Sequence, residues 1–136
     1  MLGSCTKEEE KTNPNYPSYT SVDIYSYSDV RDKEILYSNI FGIEQSSYYV
    51  YFYSRTCSHC NDLKPFIIPK IIERNDIYLV EASEQVVILE DISVTIGVSS
   101  IDNFGILGYP SLVKIEEKVV TKNIAGINPI KNELTN

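Results

Sequence analysis

The fold is decided by the stretch Ser54-Arg55-Thr56-Cys57-Ser58-His59-Cys60. Residues 48–53 before it are all aromatic or β-branched, which predicts a strand that is apolar on both faces and lies at the centre of a covered sheet. After it, residues 58–74 carry apolar side chains on one helical face, namely Leu63, Phe66, Ile67 and Ile71. The two cysteines therefore stand where a buried strand ends and a helix begins.

This placement favours thiol chemistry. A helix N-terminus presents unpaired backbone N–H groups and the positive end of the helix dipole, and both stabilise a thiolate. Cysteines in such positions have pKa values of roughly 3.5 to 7.5. We expect Cys57, at an exposed turn, to be the nucleophile and Cys60, one turn into the helix, to resolve the mixed disulfide. His59 is expected to stabilise the thiolate by its charge or by a hydrogen bond.

Prolines mark two further points of the chain. Pro65 and Pro69 each remove a backbone donor from the predicted helix, which should therefore be kinked or contain an irregular turn. Much later, the motif Gly108-Tyr109-Pro110-Ser111-Leu112 precedes another predicted strand. Together with the cysteine pair, these features form a pattern that is more specific than Cys-x-x-Cys alone.

The pattern resembles the thioredoxin-like family over about residues 27–134. In that family Cys-x-x-Cys opens a proline-kinked helix, and a cis proline opens the next-to-last pair of strands. The resemblance implies one α/β domain with a central mixed sheet flanked by helices. It also implies that Pro110 is cis and lies against the cysteine pair, and that Tyr109 offers backbone hydrogen bonds to an extended substrate. Thiol–disulfide exchange of this kind needs no cofactor.

Three departures from thioredoxin itself are visible. Thr56 stands where thioredoxin has Trp, and Tyr51 stands where it has a buried Asp, so the usual proton acceptor for Cys60 is absent. The segment before Pro110 is longer, which indicates an insertion near 83–98. These features fit extracytoplasmic relatives better than a cytoplasmic thioredoxin. The dipeptide Ser58-His59 resembles that of dithiol oxidases and isomerases more than that of reductases.

Local patterns predict the remaining elements. They are a helix from Ser28 to Gly42, a strand over 77–81, a short helix from Ser99 to about Ile106, a hairpin of 111–115 and 119–123 turning at 116–118, and a final helix capped by Asn128 with Pro129 in its first turn. Residues 83–98 stay unassigned, because Val86-Val87-Ile88-Leu89 fits a strand or part of a helix equally well.

Residues 1–22 are predicted to be a flexible tether before a domain over 23–136, because they are polar and charged with almost no aliphatic side chain. The start Met1-Leu2-Gly3-Ser4-Cys5 resembles the end of a bacterial lipoprotein signal, although the charged and apolar segments of such a signal are absent. This resemblance implies lipid on Cys5 and a place on the outer face of a bacterial membrane. The alternative is that Cys5 is an incidental thiol.

Composition limits the function. The chain has 136 residues and a net charge of −7, which suits one soluble domain with little affinity for nucleic acid, and it has no basic cluster that follows a phosphate backbone. No stretch approaches the roughly 20 apolar residues of a spanning helix. The expected partners are protein thiols and disulfides, together with a redox partner that regenerates the pair.

The sequence disfavours most other roles for the cysteines. A structural zinc site needs about four ligands, and the third cysteine lies in the predicted tether. Covalent haem needs a His directly after Cys60, where Asn61 stands. His59, the single histidine, is poorly placed as the base of a Cys–His hydrolase. A thioredoxin-like binding module with a merely structural disulfide remains as the competing interpretation.

Overall fold

The computed structural model describes residues 25–135. Its four strands are β1 (Ser47–Tyr53), β2 (Ile77–Glu81), β3 (Ser111–Glu116) and β4 (Val119–Ala125). They form one sheet in the order β2-β1-β3-β4. β1 and β2 are parallel, whereas β3 is antiparallel to both β1 and β4. Within residues 25–135 the two α-helices are α1 (Ser58–Glu73), which connects the parallel strands, and α2 (Ile127–Leu134), which follows the hairpin.

β1 is the central strand, and every residue from Tyr48 to Tyr53 is buried. Because side chains alternate along a strand, they divide between the two faces of the sheet. One face carries the odd-numbered tyrosines, Tyr49, Tyr51 and Tyr53. The other carries Tyr48, Val50 and Phe52. The predicted two-faced central strand is therefore confirmed.

The face with the odd-numbered tyrosines is covered by helices. α1 contributes Leu63, Ile67 and Ile71 to this core, and α2 contributes Ile130 and Leu134. A 3-10 helix over Tyr27–Lys33 completes the layer by burying Tyr27 and Val30. α1 continues through Pro65 and Pro69 as one helix, and the kink expected there stays a prediction.

The opposite face is covered mainly by irregular chain. Residues 83–106 contain two short 3-10 helices, Ile92–Thr95 and Ile101–Asn103, and an isolated bridge between Ile88 and Ile106. Phe104 and Ile106 are buried against the sheet. The amide of Asn123 on β4 donates to Thr95 Oγ1 at 2.9 Å and to the Gly105 carbonyl at 3.0 Å. Residues 83–98, where the sequence suggested an insertion, form part of this cover, and whether they are an insertion stays a prediction.

The predicted helix from Ser28 to Gly42 is wrong. Two 3-10 helices, Tyr27–Lys33 and Tyr37–Asn39, take its place, and the first is capped by Ser26 rather than Ser28. The chain is extended at Glu34, which bridges to Leu79 of β2, and the Ile35 N–H donates to the Leu79 carbonyl at 2.8 Å. This pairing with the edge of the sheet interrupts the helical period.

Three smaller predictions are corrected at element ends. The short helix before β3 is capped by Ser100 rather than Ser99 and ends at Asn103. The N-cap residue of α2 is Gly126 rather than Asn128, and Gly126 adopts a φ of 104° where the chain turns into the helix. The hairpin turns at Glu117 and Lys118, both with positive φ, which matches the right-handed twist of the flanking strands.

A parallel strand–helix–strand unit followed by an antiparallel hairpin and a helix is a thioredoxin-like arrangement, and the predicted α/β class is confirmed. The predicted tether over 1–22 and Cys5 lie outside the described residues. Within 25–135, no helix has the length and apolar character needed to cross a membrane.

Candidate active site

Cys57 is the N-cap residue of α1. A tight turn brings it there from β1, because the Cys57 N–H donates to the Ser54 carbonyl at 3.2 Å. The Cys57 carbonyl accepts from the Asn61 N–H at 3.1 Å and so begins the helix. The Cys57 side chain therefore lies at the positive end of the helix dipole, as the sequence predicted.

The sulfur of Cys57 faces the loop before β3. It lies 3.7 Å from the carbonyl oxygen of Tyr109, to which the thiol can donate a hydrogen bond. The Tyr109–Pro110 peptide bond is cis, and the Gly126 N–H donates to the Pro110 carbonyl at 3.0 Å. The structure thus brings the Tyr109 backbone to Cys57, although the two are far apart in sequence. Contact of Pro110 itself with the cysteine pair stays a prediction.

The expectation of an exposed Cys57 is wrong. Cys57 and Cys60 both have 0% exposure. The Tyr109 backbone lies over the Cys57 sulfur, and this contact between distant parts of the chain could not be read from the local turn.

Cys60 is held from two directions. The Ser54 N–H points at its sulfur from the end of β1, at a distance of 3.4 Å. The Tyr27 hydroxyl donates to its carbonyl oxygen at 2.7 Å. The second cysteine is therefore fixed both at its side chain and at its backbone.

The turn between β1 and α1 is tied to β2 at the surface. Arg55 Nε lies 3.1 Å from Glu81 Oε2, with about 40% of each side chain exposed, so this ion pair adds little stability. The Arg55 guanidinium also lies 5.8 Å from the centre of the Tyr53 ring. These contacts orient the turn that precedes Cys57.

Ser58 and His59 occupy the first turn of α1. Ser58 is partly buried, and His59 is exposed. An exposed imidazole next to the cysteine pair is accessible to a docking partner. Its predicted influence on the thiolate stays a prediction.

Three stacked tyrosines lie beneath the cysteine pair, and sequence reasoning did not foresee their cooperation. The rings of Tyr27 and Tyr53 are 4.1 Å apart, and each lies 6.1 Å from the ring of Tyr51. The hydroxyl oxygens of Tyr27 and Tyr51 are 2.9 Å apart. Burial raises the pKa of Tyr27 and of Tyr51 well above the usual value. Both hydroxyls are therefore protonated at neutral pH.

Among residues 25–135, no group of three or more His, Cys, Asp or Glu side chains is arranged to hold a metal ion.

No protein-family model and no curated protein sequence matches the chain. Solved structures do resemble it. One is a chain from a structural study of the "thiol resolving mechanism in yeast mitochondrial 1-Cys peroxiredoxin via glutathione/thioredoxin systems". Its sequence is 14% identical to this chain, the TM-score is 0.45, and the match covers 74% of this chain and 89% of that chain. The zinc-bound form of human ERp44 shows 15% identity, a TM-score of 0.40, and coverage of 76% and 29% respectively. The function is therefore inferred from the geometry of the site itself.

Proposed function

We propose that this chain is a thiol–disulfide oxidoreductase that exchanges disulfides with protein partners through Cys57 and Cys60. The observation that carries the proposal is the position of Cys57, at the N-cap of α1 and 3.7 Å from the Tyr109 carbonyl that precedes Pro110. A helix N-terminus stabilises the attacking thiolate, and the neighbouring loop offers backbone groups to a substrate.

The proposed reaction uses two exchange steps. The Cys57 thiolate attacks one sulfur of a substrate disulfide, a mixed disulfide forms, and the other substrate sulfur leaves as a thiolate that takes up a proton. The Cys60 thiolate then attacks the Cys57 sulfur, and the second substrate thiol leaves. The substrate gains two electrons and the protein dithiol becomes a disulfide. Run in reverse, the same steps oxidise a substrate dithiol.

The loop before β3 supports the substrate step. At rest the Tyr109 carbonyl faces the Cys57 sulfur. An extended substrate segment that displaces this contact frees the thiol and gains the Tyr109 carbonyl as an acceptor. Tyr109 and Pro110 would thus shape the substrate groove, and His59 and Ser58 would form its rim on the helix side.

The setting of this activity belongs to the same proposal. We place the domain outside the cytoplasm, held at a bacterial membrane by lipid on Cys5 and a tether over 1–22. The polar composition of that segment and the small residues before Cys5 support this setting. A dithiol or disulfide redox partner would return the pair to its working state.

A second candidate function is favoured by one observation. Both cysteines have 0% exposure, and buried cysteines are commonly inert. In this alternative the pair is a structural feature of a redox-inactive module that binds other proteins. The two candidates differ in how readily the pair exchanges with a mild thiol.

A redox titration in glutathione buffers, read by alkylation and intact mass, tests the proposal. The protein should carry Cys5→Ser, so that only two thiols are counted. A two-thiol step that disappears in Cys57→Ser supports the exchange activity. A midpoint of about −120 to −180 mV indicates an oxidase or isomerase, and a midpoint of about −270 mV indicates a reductase. If the cysteine pair never changes its redox state, the proposed enzyme activity is refuted and the binding module is the remaining candidate.

A further inference from the structure

We propose that Tyr27 and Tyr51 form a hydroxyl pair that positions Cys60 for the resolving step. The inference rests on the proposed function and assigns these tyrosines a role in it. They act through Cys60 and are positioning residues. Their effect should fall on the second exchange step and leave the first attack by Cys57 unchanged.

The direction of the hydrogen bonds follows from counting protons. A tyrosine hydroxyl has one proton to donate. Tyr27 uses its proton on the Cys60 carbonyl, which can only accept, at 2.7 Å. The contact of 2.9 Å between the two hydroxyls must then be a donation from Tyr51 to the Tyr27 oxygen. The chain of donors runs from Tyr51 through Tyr27 to the backbone of Cys60.

Both tyrosines are fixed in place. Tyr51 is fully buried on the central strand, where its backbone pairs with Leu79 on one side and Leu112 on the other. Tyr27 is buried on the 3-10 helix Tyr27–Lys33, and its ring stacks on Tyr53. The donor chain therefore connects the rigid centre of the sheet to the first turn of α1.

The hydroxyls of Tyr27 and Tyr51 stay uncharged and act as oriented dipoles. Burial is the main cause of the raised pKa of both tyrosines. Charge interactions with Cys57 and Cys60 raise both pKa values further, and so does the neighbouring tyrosine, which is Tyr27 for Tyr51 and Tyr53 for Tyr27. The strands beside Tyr51 contribute the apolar side chains of Leu79 and Leu112. Protonated throughout the working range, the tyrosines cannot accept the proton of Cys60. Their contribution is to hold the Cys60 backbone, and with it the sulfur, next to the Ser54 N–H.

The consequence concerns geometry during resolution. Cys60 must attack the Cys57 sulfur along the axis of the bond that breaks, so a small displacement of its backbone lowers the rate. Without the Tyr27 hydroxyl, the Cys60 carbonyl loses a buried donor that water cannot readily replace. The first turn of α1 then samples more positions, fewer of which support attack.

Tyr27→Phe tests the role, because it removes the hydroxyl and keeps the stacked ring. The Cys5→Ser protein is mixed with excess glutathione disulfide and quenched in acid at short times. Intact-mass spectrometry then follows the reduced, glutathionylated and disulfide forms. The first step is measured separately in the Cys60→Ser background. We expect resolution to slow by about tenfold in Tyr27→Phe and by less in Tyr51→Phe, with the first step within about twofold of the unaltered protein.

Tyr48→Phe is the matched control. It also removes a buried hydroxyl bonded to a backbone carbonyl, since Tyr48 donates to Ile40 at 2.6 Å, but it lies on the opposite face of the sheet. It should cost similar stability by thermal unfolding and leave both rates unchanged. Equal slowing of resolution in Tyr27→Phe and Tyr48→Phe would mean general loosening and would overturn the assignment.

The pH profile of resolution separates positioning from proton transfer. Because both hydroxyls stay protonated, the profiles of the unaltered protein and of Tyr51→Phe should have the same shape and midpoint. A changed midpoint, or a resolution rate in Tyr27→Phe equal to that of the unaltered protein, contradicts the proposal. If glutathione disulfide neither attaches glutathione to Cys57 nor oxidises the cysteine pair, the proposed function fails and the assignment fails with it. If the pair reacts and the variants resolve normally, only the assignment fails.

Discussion

The backbone N–H of Ser54 lies 3.4 Å from the sulfur of Cys60 and links the end of the central strand directly to the second cysteine. Since the donor is a main-chain group at the end of β1, its direction is set by the sheet. A hydrogen bond to sulfur favours the thiolate over the thiol. Cys60, the proposed resolving cysteine, thus receives a backbone hydrogen bond, and Tyr51 stands where the resemblance to thioredoxin implies an acidic side chain.

Ser54→Pro removes this N–H, and we expect it to slow resolution by about tenfold while Cys57 still becomes glutathionylated. Ser54→Ala is the control, since it keeps the N–H and loses only the hydroxyl that contacts Thr56. Quenched-flow mass analysis with glutathione disulfide measures both. Similar rates in the two variants would show that the N–H contact does not assist Cys60.

Cys57→Ser should abolish exchange, because the attacking sulfur is gone. Cys60→Ser should instead accumulate mixed disulfides with partner proteins, because the first step proceeds and the second cannot. Non-reducing gels of protein recovered from its native cells, compared with and without reductant, reveal the adducts. An absence of adducts in Cys60→Ser, with Cys57 still reactive toward iodoacetamide, counts against protein substrates.

Asp76 gives the fold an acid-sensitive contact. Its carboxylate receives two hydrogen bonds from Arg74, at 2.9 Å each, and the hydrogen bonding to Arg74 lowers the pKa of Asp76. A lowered folded-state pKa means that the unfolded chain binds more protons, so this stability is present above the unfolded pKa and is lost as pH falls through the folded one. The contact is about a third exposed, so its contribution should be below about 1 kcal/mol.

Asp76→Asn should therefore lower the free energy of unfolding at pH 7 and flatten its decline in acid. Urea unfolding at several pH values measures this. Asp91 is the comparison residue for these measurements. Hydrogen bonds from Ser93 lower its pKa as well, but its side chain is exposed. Parallel pH curves for the unaltered protein and Asp76→Asn would contradict the assignment.

Gly105→Ala should disturb the irregular cover of the sheet. A Cβ there would lie 2.6 Å from Leu89 Cγ and 2.9 Å from the Val87 carbonyl, so the paired segment must shift. We expect a loss of about 1 to 3 kcal/mol in unfolding free energy. Gly108→Ala is the control, because a Cβ at Gly108 meets no atom within 4 Å and should change stability by less than about 0.5 kcal/mol. Equal losses in both variants would contradict this account.

The elements around the cysteines could be predicted because their signals are local. β1 is aromatic or β-branched at every position from Tyr48 to Tyr53, α1 carries apolar side chains at helical spacing, and Pro110 stands out by its motif. The burial of Cys57 could not be predicted, since it depends on Tyr109 meeting a residue 52 positions away. The predicted helix from Ser28 to Gly42 is wrong because of another contact between distant residues. Ile35 pairs with Leu79, and this pairing interrupts the helical spacing of the apolar side chains.

The tyrosine pair could not be predicted from the sequence. At position 51 the sequence shows only that an acidic side chain is absent. The compensating partner, Tyr27, lies on a different element, and only the folded chain brings the two hydroxyls within 2.9 Å. Side chains that act together across elements leave no spacing pattern in a single sequence.

The stack of Tyr27, Tyr51 and Tyr53 also gives the protein optical properties. The chain has 11 tyrosines and no tryptophan, so its ultraviolet emission comes from tyrosine alone. Excitation passes readily between rings as close as 4.1 Å and is shared within the stack. Sulfur in a disulfide quenches tyrosine emission on close approach, and Tyr27 touches the backbone of Cys60. The intensity of intrinsic fluorescence should therefore follow the state of the cysteine pair, without any attached dye.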